Sequence, residues 1–274
     1  KPYNARVMEN FLSLAFFYTQ NRPWNPFYNS PQLRFRLEAA LSFWLSRQSP
    51  EGMFSEHGEK QWSLAATASA TKFMGETLHY LKDGPALNED LLRQVAQADR
   101  KAILALLYGA ELYEEGKQFT GAYSDLWAGA LAYLDLHPDA EIRKTLETRL
   151  ISSMRDFQNP VGYFYEAGGP DFGYNLDAQS SSIRMAWNYA RGTSLEKYFL
   201  EPLREYYIWL VWNVALENDR SGYYLNAAIS TSSEKSWLAL DEGMPYRNGT
   251  PLSEQIRLAR AFELDRTAYD KWAK

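Results

Sequence analysis

Gln48-Ser-Pro-Glu-Gly52-Met-Phe54-Ser-Glu56 closes one amphipathic helical stretch, and Gln158-Asn-Pro-Val-Gly162-Tyr-Phe164-Tyr-Glu166 closes another much later in the chain. A third version reads Asn218-Asp-Arg-Ser-Gly222-Tyr-Tyr224-Leu-Asn226, and a weaker one Gln118-Phe-Thr-Gly121-Ala-Tyr123-Ser124. The common pattern is a helix end, a polar residue, a glycine turn, an aromatic pair and a final polar residue. Glycine permits the positive φ at which a helix stops, while the aromatics can anchor the loop on its bundle. The glycines recur about every 40 to 70 residues, the length of a helical hairpin with its loop, which marks a repeat architecture.

The segments between these loops carry helical periodicity. Leu37, Ala40, Leu41, Trp44 and Leu45 form one apolar stripe over 33–48, and Ala66, Ala70, Phe73, Met74, Thr77 and Leu81 another over 63–81. Further helices are expected over 90–113, 122–134, 142–157, 181–190 and 194–216, the last bent or restarted at Pro202. A final helix over 252–274 is introduced by Pro251 and a Ser253 N-cap. Extended pieces are limited to 163–165 and 223–225. The expected fold is therefore all-α: a complete or incomplete (α/α)n toroid of helical hairpins with long rim loops. Ring closure removes exposed ends and brings successive loops to one rim. No Pro/Gly/Ser-rich linker divides the chain, so residues 1–274 read as a single domain.

Composition narrows the function. A formal net charge of −5, with no cluster of Lys and Arg, argues against nucleic acid as partner. An acidic polysaccharide is compatible with that charge, because a few Arg side chains focused in one cleft outweigh a mildly negative exterior. Cysteine is absent, which removes disulfides, thiolate nucleophiles and Cys-based metal sites. That usage fits a secreted or periplasmic protein and is also found in the cytoplasm. The apolar run 11–18 is too short to span a bilayer. Nine Trp and nineteen Tyr stand out, since buried phenols need partners and aromatic faces suit the C–H faces of sugars.

Trp44-Leu-Ser-Arg-Gln48 with Pro50-Glu-Gly52-Met-Phe54-Ser-Glu56, followed by Phe164-Tyr-Glu166-Ala-Gly-Gly-Pro-Asp171-Phe-Gly-Tyr174-Asn175, is similar to the α/α-toroid domains of polysaccharide lyases. The heparinase II/III-like and alginate-lyase-like groups come closest. The hairpin pattern covers most of the chain, with the sharper motif similarity confined to 158–191. The resemblance implies β-elimination on a uronate-containing glycan. Two departures stand out. Such lyases often carry a His in or near the toroid cleft, where this chain reads Asp177-Ala-Gln179-Ser-Ser-Ser182, and many carry a C-terminal β-domain, which is not expected within residues 1–274.

The residues themselves allow the same chemistry. β-Elimination needs a neutralised carboxylate, a base for the acidified proton and an acid for the leaving oxygen. Asn175, Gln179 or Arg184 can neutralise the carboxylate, while Tyr174 and Tyr165 can serve as base and acid. A Tyr base requires a pKa well below about 10, which a nearby Arg assists. His57, beside Glu56 in the first loop, is a second candidate base near neutral pH. His79 and His137 read as structural or exposed, and no His spacing suggests a metal, so neither metal nor cofactor is expected.

Glu56, Glu166, Asp171, Asp177 and Gln179 are the expected polar substrate contacts, with Trp127 and Asn226 as further rim residues. The same carboxylates carry the rival reading, an inverting glycoside hydrolase with two acids about 6.5–9.5 Å apart. A non-catalytic glycan-binding toroid is the third. Hydrolase elbows, phosphate-binding loops and dinucleotide fingerprints are missing.

Overall fold

The computed structural model describes residues 10–56, 58–165, 180–212, 214–216, 223–225 and 245–246. These residues form an all-α framework. Its helices are α1 (Asn10–Thr19), α2 (Pro31–Arg47), α3 (Leu64–Lys82), α4 (Glu89–Tyr108) and α5 (Ala110–Gly116). They continue as α6 (Thr120–Leu136), α7 (Ala140–Phe157), α8 (Ser180–Ala190) and α9 (Lys197–Trp212). A short antiparallel ribbon follows, β1 (Val214–Leu216), β2 (Tyr223–Leu225) and β3 (Pro245–Tyr246), with Ala215 opposite Tyr224 and Tyr223 opposite Tyr246.

The described residues pack as two compact units, one drawn from 1–115 and 122–149, the other from 116–121 and 150–274. In the first, helix starts follow local capping chemistry. The Ser30 hydroxyl caps α2, with Pro31 at its first position; Ser63 caps α3 and Asn88 caps α4. Each side chain satisfies an N–H that the helix leaves without a partner. Asp139 does the same for α7 by accepting from Ile142 N at 3.0 Å, and its other oxygen takes Arg100 Nε at 2.6 Å.

The core of this unit centres on Trp44, stacked on Phe54 at 4.8 Å and met edge-on by Phe11. Helices α3 and α6 approach along a seam of small residues. A Cβ on Gly75 would lie 2.7 Å from Ala132 Cβ, and one on Gly129 2.5 Å from the Thr71 hydroxyl oxygen. The Lys72–Asp125 ion pair at 3.0 Å and a 3.1 Å contact from His79 Nε2 to Ala132 O flank the seam. Asp99, on α4, is fully buried, and neither carboxylate oxygen has a hydrogen-bond partner among the described residues. Burial pushes its carboxyl pKa well above the ordinary value.

The second unit buries Phe157, Phe164, Ile183, Leu195, Phe199, Leu203, Tyr206 and Tyr207, with α8 packed on α9. Helix α9 runs through Pro202 without a break. Several sequence expectations are corrected here. The stretch 90–113 is two helices separated at Gly109, and 194–216 is a helix followed by the first strand of the ribbon. The Gln118 copy of the loop is absent: Gly121 lies inside α6, and Tyr123 points into the core. The expected helix over 252–274 lies outside the described residues, as does most of the Asn218 loop.

Candidate functional site

Two of the repeated loops are built on one plan. Gln48 Nε2 donates to Gly52 O at 3.1 Å and to Ala98 O at 2.7 Å. Gln158 Nε2 donates to Gly162 O at 2.8 Å and to Pro202 O at 2.7 Å. Ser49 N reaches Met53 O and Asn159 N reaches Tyr163 O, both at 2.8 Å. Gly52 has φ +101° and Gly162 φ +108°, the left-handed region that glycine alone enters without strain. Each glycine is also pressed on the helix that its glutamine holds. A Cβ would fall 2.8 Å from Lys101 O at Gly52 and 2.3 Å from Glu205 O at Gly162. In both cases that carbonyl is three residues after the one the glutamine grips.

The loop of the second unit presents the aromatic group best suited to a ligand. The Asn159 side-chain amide donates to the Tyr163 hydroxyl at 3.2 Å and to the Tyr165 hydroxyl at 3.3 Å. The two rings meet edge-on at 6.0 Å, and Tyr163 also lies against Trp209 at 5.6 Å. Asn159 Oδ1 meanwhile accepts from Val161 N at 3.0 Å, which fixes the amide orientation. The Tyr165 strand piece is pinned by its N–H to Phe157 O at 2.9 Å. Both tyrosines are half-buried, so part of each ring faces solvent. Burial raises the Tyr163 pKa, with Tyr165 beside it adding to the effect, so this phenol stays protonated at neutral pH. Both phenols accept from Asn159, and Tyr163 keeps its own O–H to give to a ligand.

Of the residues singled out in the sequence, Tyr165 belongs to this group. Arg184 is half-buried on α8 of the same unit, and Glu56 is half-buried in the first unit's loop; both have interaction partners within the protein. Trp127 is a correction. It is fully buried against Tyr123 at 6.0 Å and presents no face to a ligand, because its α6 position points into the core. His57, Glu166, Asp171, Tyr174, Asn175, Asp177, Gln179 and Asn226 lie outside the described residues.

Sequence reasoning passed over Asn159, Tyr163 and Trp209. The first two stood in the quoted repeat, and only the fold brings Trp209 to them. Among the described residues no cluster of His, Asp and Glu could hold a metal ion, and no helix is long and apolar enough to cross a membrane. Comparison with protein-family models, with curated proteins and with solved structures returns no match.

Proposed function

We propose that this protein acts on an acidic, uronate-containing glycan, and that its hairpins belong to an α/α toroid of the polysaccharide-lyase kind. The observation that carries the reading is the Asn159 amide shared by the Tyr163 and Tyr165 hydroxyls, with Trp209 alongside. Partly exposed rings provide faces for sugar C–H groups, and oriented phenols provide donors for sugar oxygens. The group directly precedes 166–184, where Asn175, Gln179 and Arg184 are the proposed partners of the uronate carboxylate.

For β-elimination, Tyr163 is the proposed proton donor to the leaving oxygen, being protonated at neutral pH and held in place by Asn159 and Trp209. Tyr174 or Tyr165 is the proposed base, acting on the proton next to the carboxylate. A polyuronate outside the cell is the substrate this implies, which makes secretion or a periplasmic site part of the proposal. The duplicated loop plan supports a hairpin array.

Retardation in gels cast with a polyuronate tests the reading. Wild-type protein is expected to be held back, and Asn159→Ala and Tyr165→Phe are expected to migrate more freely. Equal mobility of all three, with and without polyuronate, would remove the glycan from the account.

A further inference from the structure

A concave site lies within the first unit and is independent of the glycan reading. Beyond the tight α3–α6 seam the lining side chains become larger. Leu78, Leu92 and Tyr133 wall a cavity of about 470 Å³ between α3, α4 and α6. That volume falls within the range of about 300–1,000 Å³ found for small-molecule sites. Lys82, Arg93 and His137 also line it.

The charged side chains that line the cavity, Lys82 and Arg93, are of one sign. Burial, reinforced by His79 and Lys82, lowers the His137 pKa, so the imidazole is neutral at neutral pH. Burial pushes the Tyr133 phenol up to about 12, so it too is neutral. Lys82 and Arg93 therefore carry the charge. Arg93 is paired with Asp90, but both side chains are well exposed, and such a pair is weak enough to exchange for a better-placed anion. Gln97, Tyr133 and His137 offer a few hydrogen-bond partners among Leu78, Leu81, Leu92 and Leu136, too few for the many hydroxyls of a sugar, which would lose their water uncompensated. An apolar chain would not.

We propose that this cavity binds a small amphipathic carboxylate. Its aliphatic chain lies against Leu78, Leu92 and Tyr133, and its acid group reaches Lys82 and Arg93. Charge complementarity selects the anion, and burial of methylenes supplies most of the affinity.

Calorimetric titration of the whole protein with decanoate tests this. One saturable site is expected, weakening about fourfold for each methylene removed from the chain. Decyltrimethylammonium, with the same chain and the opposite charge, should bind about tenfold more weakly or worse. Lys82→Gln combined with Arg93→Gln should weaken decanoate to a similar degree; both residues are exposed, so folding is unaffected. Ala96→Phe, which fills the cavity from α4, should abolish binding while the circular dichroism spectrum is retained. Absence of saturable binding would overturn the proposal, including the case in which another segment of this chain occupies the cavity. So would equal affinity for the cation, or indifference to the double substitution.

Discussion

The Gln158 side chain donates to Pro202 O at 2.7 Å, and Gln48 makes the same bond, at the same length, to Ala98 O. In both hairpins one glutamine therefore ties three things: the end of a helix, the turn glycine and a helix 44 or 50 residues further on. At Pro202 the bond falls where the helix is locally weakened, because proline contributes no N–H to the ladder.

Gln158→Leu removes both of these donations while keeping most of the side-chain volume. The carbonyls of Gly162 and Pro202 then lose a partner next to a buried position, and a loss of about 1–3 kcal/mol is expected. Urea unfolding followed by circular dichroism measures it. A change within experimental error would mean that water replaces the amide freely.

Glycine substitutions should rank by the space behind them. Gly192 has φ +75° with nothing among the described residues within 4 Å of the point where an alanine methyl would stand, so Gly192→Ala carries only the conformational penalty of about 1–2 kcal/mol. Gly162 has the same penalty and would press a methyl onto Glu205 O at 2.3 Å. Gly162→Ala should therefore destabilise clearly more than Gly192→Ala in parallel thermal melts. The reverse order would show that the helix carrying Glu205 yields to the added methyl at little cost.

Asp99 predicts the direction of a pH effect. Its folded pKa is raised, so the folded protein holds a proton that the unfolded chain releases. Stability from this group is complete below the unfolded carboxyl value of about 4 and falls as pH rises towards the folded value. Asp99→Asn removes the titration. Its stability relative to wild type should therefore grow between about pH 4 and neutrality, read as the difference in melting temperature across that range. A difference independent of pH would show that Asp99 ionises inside the fold.

How much of this was legible beforehand depends on the range of the interactions. Ser30, Ser63 and Asn88 start helices through bonds spanning three residues, and the apolar stripes of α2 and α3 are local periodicities. Helices α2 and α3 were readable to within a few residues, whereas 90–113 read as one helix across the break at Gly109. The run ending at Leu216 was not readable, because the apolar stretch around Val211 to Leu216 suits a helix and a buried strand equally. Gly121 misled because a glycine followed by an aromatic reads as a turn, yet Thr120 begins a helix there, with its hydroxyl bonded to Phe157 O. Trp127 shows the ambiguity of aromatic residues, which serve a core as readily as a cleft. The glutamine grip and the approach of Trp209 to Tyr163 join residues more than forty positions apart, and no local pattern encodes such pairing.

The glycan reading rests most directly on product analysis. Incubated with a panel of polyuronates, the protein should generate new reducing ends together with the ultraviolet absorbance of unsaturated uronate ends. Tyr165→Phe should lower both signals in step. Reducing ends without that absorbance would contradict elimination and indicate hydrolysis, and binding without either product would contradict the enzymatic account altogether.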